Sequence, residues 1–233
     1  MAYLDAMLSK RESGVIDRRA SILAAARRII ARDGFDALTT RGIAKAAGVT
    51  VPTLYNLVGD KTAIISAMAT NSINEMWSRV QLDQITDPLA LADSVIDAAF
   101  KQIMADPEFN RANLIALERL GIAFAYHPNR DDSGADAARR SVAMVEYACE
   151  QAQAAGQLRG TISAHEIGLQ LFSVYRAPLD DWLHGAIELD EMQRRQRVGF
   201  YTVLAADASE TLRIELLAKI AALSAAPAKS EAA

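Results

Sequence analysis

Residues 39–57 read TTRGIAKAAGVTVPTLYNL, and this stretch decides the fold. Apolar residues recur at helical spacing on both sides of Gly48-Val49-Thr50, which predicts two short helices joined by a three-residue turn. Gly48 allows the left-handed backbone that a sharp turn needs, and Ala44 is small enough for the second helix to cross over it. The inner faces are expected to be buried by Ile43, Ala47, Val49, Leu54 and Leu57. The stretch therefore predicts a helix-turn-helix.

The second helix of this motif leaves its outer face free. Thr50 is a good N-cap, because its hydroxyl can accept from the N–H of Thr53, and Pro52 is tolerated in the first turn. Hydroxyl groups suit phosphate oxygens, the amide of Asn56 suits an adenine edge, and Val51 suits a thymine methyl. The set predicted to face DNA on this helix is Thr50, Val51, Pro52, Thr53, Tyr55 and Asn56. The pattern predicts a helix that reads the major groove.

Three residues outside this helix complete the predicted DNA-binding set. Thr40 and Arg41 open the preceding helix, where it would cross the DNA backbone, and Lys61 opens the following helix, where it would meet a phosphate. Upstream, Lys10, Arg11, Arg18 and Arg19 form either an arm for phosphate or the minor groove, or a solvated and disordered start, and the second reading is favoured.

The charges are divided between two parts of the chain, whose formal net charge is −4. Residues 1–70 contain 10 Lys and Arg against 6 Asp and Glu, a net charge of +4, whereas the remaining residues carry −8. A basic part suits a polyanion and an acidic part is repelled by one. The division predicts two modules with different partners, of which only the first binds nucleic acid.

The composition favours an all-α protein. Hydrophobic residues make up 51% of the chain and aromatic residues only 6%, and no segment shows convincing strand alternation. The pattern predicts nine or ten helices, with a DNA-binding domain over residues 1–66 that begins with a flexible arm over 1–16. A helical domain for ligand binding and dimerisation is predicted over 67–225, followed by a disordered tail over 226–233.

Three further features bear on the class of protein. The one cysteine, Cys149, excludes a disulfide within the chain and makes a cysteine-based zinc site a poor explanation. No apolar run is long enough for a signal peptide or a membrane span, so a cytoplasmic location without membrane contact is expected. Neither a cofactor nor a metal is predicted. Asp180 and His184, one helical turn apart, could share a metal, but a surface hydrogen bond explains them better.

The run from Ile22 to Met68 closely resembles the N-terminal domain of the TetR family of transcriptional regulators. The resemblance rests on Gly34-Phe35, Leu38-Thr39-Thr40, Ile43-Ala44, Gly48-Val49, Thr53-Leu54-Tyr55 and Lys61. The chain departs from the family pattern at Val51, Leu57 and Val58, which leaves the fold unaffected but changes the expected base preference. The resemblance implies a repressor that acts as a homodimer on a palindromic operator in double-stranded DNA and is released by a small effector.

For the C-terminal part, two sets of residues are predicted. An apolar or aromatic effector would be bound by Phe100, Met104, Leu117, Phe124, Met144, Tyr147, Phe172, Tyr175 and Arg176. A dimer interface on the last long helices would contain Ile167, Leu171, Val174, Trp182, Val198, Tyr201, Thr202 and Ala205. Glu118, Arg119 and Arg176 either fix a ligand or pair with one another.

Two other functions stay open at this point. One is a helical metal-dependent enzyme, such as a di-iron protein, which needs two Glu-x-x-His pairs. The sequence contains no Glu-x-x-His pair, and it contains no nucleotide-binding or serine-hydrolase motif. No enzyme is therefore predicted. A DNA-binding dimer without a small-molecule effector also agrees with the sequence.

Overall fold

The chain is helical throughout the part that the structure, a computed structural model, describes, which is residues 2–80, 87–120, 126, 129 and 133–225. In these ranges there is no β-strand, and the one extended pair is an isolated bridge between Leu158 and Ala208. The all-α prediction is confirmed. The helices are α1 (Ala2–Asp33), a short 3-10 helix (Phe35–Ala37), α2 (Thr40–Ala47), α3 (Val51–Leu57), α4 (Lys61–Ser78), α5 (Pro88–Met104), α6 (Pro107–Arg119), α7 (Ser133–Ala154), α8 (Ala164–Leu183), α9 (Leu189–Asp207) and α10 (Glu210–Ala225).

Side-chain caps fix where several helices begin. The carboxylate of Asp87 accepts from the N–H of Leu89 at 3.0 Å at the start of α5, and that of Asp106 accepts from the N–H of Phe109 at 3.2 Å at the start of α6. A proline follows each aspartate in the first turn, where its missing N–H costs nothing. The helix α6 ends at Arg119, with Leu120 as its C-cap.

The N-terminal helix is longer than the sequence predicts. Because α1 begins at Ala2, the segment predicted as a flexible arm belongs to a continuous helix of 32 residues. The prediction of a flexible arm over residues 1–16 is therefore wrong for residues 2–16. The predicted tail over 226–233 lies outside the described residues.

The chain forms two compact units. Unit 1 comprises Met1–Ile73 and Asp106–Phe124, and unit 2 comprises Asn74–Ala105 and Ala125–Ala233. The predicted domains are continuous in sequence, whereas unit 1 also takes in α6.

Unit 1 contains an apolar core to which both α1 and α6 contribute. Arg27 of α1 pairs with Asp106 at 3.3 Å, and its guanidinium lies 4.4 Å from the centroid of the Phe109 ring, so α6 is joined to α1 by charge and by stacking. The buried residues of this core are Ile22, Leu23, Ala25, Ala26, Ile30, Leu38, Ile43, Ala44, Leu54, Ile64, Ile65, Met68, Phe109, Ala116 and Leu117.

Unit 2 is built from long helices that cross closely. A Cβ atom added to Gly199 of α9 would lie 2.9 Å from the Cβ of Val174, so α8 and α9 meet at this glycine. The hydroxyl of Tyr201 donates to the carboxylate of Asp93, and Lys219 donates to the same carboxylate at 3.3 Å, which links α5, α9 and α10. Within the described ranges, no helix is long and apolar enough to cross a membrane.

Candidate nucleic-acid interface

The first helix of the motif, α2, is fixed at both ends. The hydroxyl of Thr39 accepts from the N–H of Gly42 at 3.1 Å, which caps the start of the helix. Gly48 has a φ of 67°, and its N–H donates to the carbonyl of Lys45 at 3.3 Å. The N–H of Val49 then donates to the carbonyl of Ala44 at 3.0 Å, which closes the turn. The predicted role of Gly48 is confirmed.

The second helix, α3, begins with the predicted cap. The hydroxyl of Thr50 accepts from the N–H of Thr53 at 3.2 Å, and the two threonine hydroxyls lie 2.8 Å apart. Pro52 occupies the first turn, and the side chain of Leu54 is fully buried in the core of unit 1. The helix therefore has an inner face that holds it and an outer face that is not needed for packing.

The outer face of α3 carries the predicted polar residues. Thr50, Pro52 and Asn56 are exposed, and 49% of Tyr55 is accessible to solvent. No carboxylate occurs from Ala37 to Gly59, whereas α2 contributes an exposed Arg41 and an exposed Lys45. Hydroxyl and amide groups on a surface without negative charge can donate to and accept from nucleic-acid bases and phosphates.

Four predicted DNA contacts are less available than the sequence implied. Thr40, Val51 and Thr53 are half-buried, and Val51 packs against the core of unit 1. Part of the Val51 side chain is consequently buried in the core, and only the remaining surface could contact a thymine methyl. Lys61 is also half-buried, and its ammonium donates to the carbonyl of Phe35 at 3.3 Å while lying 3.9 Å from the centroid of the same ring. Lys61 therefore links α4 to the 3-10 helix, a structural role that the sequence did not reveal.

Sequence reasoning missed a contact that α1 makes with α3. The guanidinium of Arg19 donates through Nη1 to the carbonyl oxygen of Leu57, the last residue of α3, at 3.3 Å. The sequence alone favours a solvated start of the chain for Arg19. Its partner lies 38 residues away, so no local spacing could have revealed the bond.

The predicted effector residues differ in their burial and in the unit to which they belong. Met104 and Tyr147 are about half exposed, with 49% and 50% of their surfaces accessible, and Leu117 belongs to the core of unit 1. Phe124 lies outside the described residues. Those that stay half-buried in unit 2 are Phe100, Met144, Phe172, Tyr175 and Arg176. Burial raises the pKa of Tyr175 to about 12, as expected for a phenol withdrawn from water.

The predicted dimer residues also separate into two groups. Ile167, Leu171, Trp182 and Tyr201 are buried within the single chain, so they pack in the core of unit 2 and have little surface left for a partner. The sequence showed that these helices are apolar on two sides but not which side faces the core. The residues that keep accessible surface are Val174, Val198, Thr202 and Ala205.

Several polar residues that could hold a metal or a ligand by sequence have partners within the chain. His184 bonds through Nδ1 to the backbone oxygen of Asp180 at 2.8 Å, while the carboxylate of Asp180 pairs with Arg176 at 3.1 Å. Arg119 pairs with Asp36 at 3.8 Å. In the described part of the chain, no group of three or more His, Cys, Asp or Glu residues is arranged to hold a metal ion.

The helix-turn-helix geometry agrees with a match to a protein family. Residues 22–68 match the family described as bacterial regulatory proteins, tetR family. The match to this family covers the helix-turn-helix and the helices on either side of it. The matched TetR segment begins at Ile22 in α1, contains both helices of the motif and ends at Met68 in α4.

Two curated proteins have sequences similar to this chain. The chain is 31% identical over 140 residues to the HTH-type transcriptional regulator EthR of Mycolicibacterium smegmatis, which covers 60% of this chain and 55% of that protein. It is 26% identical over 119 residues to the HTH-type nicotine-responsive transcriptional repressor HdnoR of Paenarthrobacter nicotinovorans, over 50% of this chain and 59% of that protein. The chain thus spans little more than half the length of these curated relatives.

A solved structure supports the TetR fold over most of the chain. A TetR transcription regulator from Haloarcula marismortui superimposes with a TM-score of 0.65 at 14% sequence identity. The superposition covers 83% of this chain and 99% of that one. The likeness therefore extends the shared fold well beyond the matched residues 22–68.

Proposed function

We propose that this chain is a TetR-family transcriptional repressor that binds a palindromic operator as a homodimer and is released by a small apolar or aromatic effector. The observation that carries the proposal is the outer face of α3. Asn56 and Tyr55 are exposed on a short helix whose other face is held by the fully buried Leu54. Capping and packing hold the helix without using these side chains, so they are free for DNA.

The chemistry of this face fits the edges of base pairs. The amide of Asn56 can make two hydrogen bonds to an adenine in the major groove, an interaction that contributes about 1–3 kcal/mol of discrimination. Tyr55 offers a hydroxyl, and Arg41 offers a guanidinium for a phosphate oxygen. The proposal assigns no catalytic step to any residue and places the protein in the cytoplasm with its DNA.

Dimerisation would come from unit 2. Val174 on α8 and Val198, Thr202 and Ala205 on α9 keep accessible surface, and small apolar side chains suit a two-fold helical interface. A dimer would place its two recognition helices about 34–36 Å apart, which is one turn of DNA. The operator is then expected to be a palindrome with that spacing.

The names of the relatives support repression and a small effector. HdnoR is named as a nicotine-responsive repressor, and nicotine is a small heteroaromatic amine. The half-buried aromatic residues Phe100, Phe172 and Tyr175 in unit 2 would suit a compound of that class. Such a ligand would act by binding the DNA-free conformation more tightly than the DNA-competent one.

The DNA part is tested by selection from a random duplex library with the full-length protein, followed by titration of the recovered sequence. We expect a palindrome, and we expect Asn56→Ala to lower the preference for it over a scrambled duplex by about tenfold. The control is Asn71→Ala, which removes an exposed asparagine of α4 outside the motif. Recovery of no preferred sequence, or equal effects of the two variants, would count against the assignment.

The effector part is tested by thermal denaturation and by release of the bound operator, with nicotine as the first probe. A ligand that binds the folded state raises the melting temperature, and at 100 times its Kd it adds about 2.7 kcal/mol of stability. We expect both a higher melting temperature and weaker operator binding for nicotine or for another small aromatic amine. If a panel of apolar and aromatic compounds changes neither, the protein is a DNA-binding dimer without an effector.

A further inference from the structure

The side chain of Arg19 connects α1 to the end of the recognition helix. Its Nη1 donates to the carbonyl oxygen of Leu57 at 3.3 Å, and both residues belong to unit 1. Leu57 is the last residue of α3, so the bond falls at the C-terminal end of the helix whose outer face carries Tyr55 and Asn56.

This end of α3 has few other restraints. The last carbonyls of a helix have no partners within it, and α3 is only seven residues long. The N–H groups of Val58 and Gly59 both donate to the carbonyl of Leu54, at 3.0 and 3.4 Å, and so do not hold Leu57. A cation at a helix C-terminus is also favoured by the helix dipole. Arg19 therefore restrains the last turn from outside the motif.

The neighbouring arginine provides an internal comparison. Arg18 is exposed like Arg19 and has the same charge, but its Nε donates to the carbonyl of Gly14 within α1 at 2.8 Å. Neither arginine forms an ion pair with any of the residues that the structure describes. The two therefore carry the same charge at adjacent positions in the middle of α1, and of the two only Arg19 donates a hydrogen bond to α3.

We propose that Arg19 is a positioning residue that determines sequence specificity by fixing the C-terminal turn of α3. The inference rests on the proposed function in that α3 reads DNA. Hydrogen bonds to base edges need the side chains of Tyr55 and Asn56 to be placed closely, whereas attraction to phosphates tolerates displacement. Loss of the Arg19 bond therefore lowers discrimination between sequences more than it lowers affinity for DNA in general.

The first experiment compares Arg19→Ala with Arg18→Ala in the full-length protein. Each is titrated with the duplex selected by the wild type and with a scrambled duplex of equal length. Arg18→Ala should weaken both complexes by the same factor, because only charge is lost. Arg19→Ala should reduce the ratio of the two affinities about fivefold, which corresponds to the net contribution of one typical hydrogen bond. Arg19→Lys keeps the charge and a donor and should recover part of the ratio.

The second experiment needs no DNA. Amide hydrogen exchange is followed in the full-length protein for Val58 and Gly59, whose N–H groups close α3. Arg19→Ala should speed exchange at these amides several-fold, whereas Arg18→Ala should leave it at the wild-type rate.

The outcomes separate this inference from the proposed function. Equal losses on both duplexes together with unchanged exchange would overturn the role of Arg19, even if the wild type prefers one DNA sequence. If exchange is faster in Arg19→Ala but the wild type prefers no DNA sequence, the result would support the restraint of α3 by Arg19. It would overturn the proposed role of Arg19 in sequence specificity. Faster exchange with a lower affinity ratio would support both.

Discussion

Asp207 shows how a single buried carboxylate can join a loop to the end of a helix. It is fully buried, and it accepts from the backbone N–H groups of Gly160, Thr161 and Ile162 at 2.9, 2.9 and 3.2 Å. The N–H of Arg159 also donates to the backbone oxygen of Asp207, at 2.7 Å. The side chain thereby ties the segment before α8 to the end of α9.

Replacement of Asp207 by Asn should destabilise unit 2. An amide has one acceptor oxygen in place of two, so at least one of the three N–H groups loses its partner, at a cost of about 2 kcal/mol. The free energy of unfolding in urea measures the effect. Asp17→Asn, which changes an exposed carboxylate of α1, is the control and should have little effect. An unchanged Asp207→Asn protein would show that these bonds do not contribute to stability.

Glu191 predicts a dependence of stability on pH. Hydrogen bonds from Arg194, followed by those from Arg195, lower the pKa of this carboxyl to about 2. A carboxyl whose pKa is lower in the folded state stabilises the fold fully above its unfolded pKa, and this stabilisation is lost as the pH falls toward the folded pKa. The window is therefore from about pH 4.5 down to about pH 2.

The comparison that tests this window is the wild type against Glu191→Gln in urea at pH 7, 4 and 2.5. The wild type should be more stable at pH 7, the difference should begin to shrink below about pH 4.5, and little should remain at pH 2.5. Solvent screening keeps the difference small. A difference that is constant over the three pH values would show that the arginines do not favour the charged form.

At the residue scale, the sequence predicts what is local and misses what is distant. The cap of Thr50 on Thr53 and the left-handed Gly48 depend on neighbours within a few residues, and both were predicted. The bond from Arg19 joins residues 38 positions apart, and the contacts of Asp207 span 45 to 47 positions. No spacing in the sequence encodes such pairs, because they depend on how the helices cross.

At the scale of elements, the crossing of α8 and α9 depends on one glycine. Glycine inside a helix normally destabilises it by about 0.5–1 kcal/mol relative to alanine. Here a Cβ atom on Gly199 would come within 2.9 Å of the Cβ of Val174, which is closer than side chains tolerate. The packing of α9 against α8 therefore requires that this position lack a side chain.

Gly199→Ala should consequently lower the free energy of unfolding by about 1–3 kcal/mol, despite the better helix propensity of alanine. Gly14→Ala serves as the matched control, because its added Cβ would meet only the flexible end of Arg18 at 3.5 Å. That control should gain about 0.5–1 kcal/mol. Adding Val174→Ala to Gly199→Ala should recover part of the loss. A stabilised Gly199→Ala protein would show that the helices can separate at no cost.

The sequence predicts where helices begin better than it predicts which face of a helix is buried. Caps such as Asp87 and Asp106 with a following proline show where α5 and α6 begin. The face that a helix buries is harder to predict when apolar residues surround it, as on α8 and α9. Ile167 and Leu171 were assigned to a partner surface and instead lie in the core of their own unit. Periodicity alone does not distinguish a helix's own core from a partner's surface.

At the scale of the whole molecule, the sequence shows two modules but not how the chain is distributed between them. Charge divides the chain near residue 70, and a sequence reading expects continuous domains. The structure assigns α6 to unit 1, where Phe109 and Leu117 enter the core. This assignment depends on contacts with α1, which begins more than 100 residues earlier in the chain.

The charge division also makes operator binding depend on salt. The residues after position 70 carry a net charge of −8 and as a group are repelled by phosphates, so the electrostatic part of DNA binding is expected to come from the basic residues 1–70. The logarithm of the binding constant falls with the logarithm of salt concentration by about 0.9 for each phosphate contacted. With three or four contacts in each protomer, a dimer should give a slope of about −5 to −7.

The change in this slope caused by Arg41→Ala measures how many protomers bind the operator. The residue is exposed in the first turn of α2, where the sequence predicts one phosphate contact. Because a dimer carries two copies, loss of both contacts should reduce the slope by about 1.8, whereas loss from a monomer should reduce it by about 0.9. Arg140→Ala, which removes an exposed charge of α7 in unit 2, should leave the slope unchanged. A reduction near 0.9 would contradict the dimer, and equal effects of the two variants would contradict the assignment of DNA binding to unit 1.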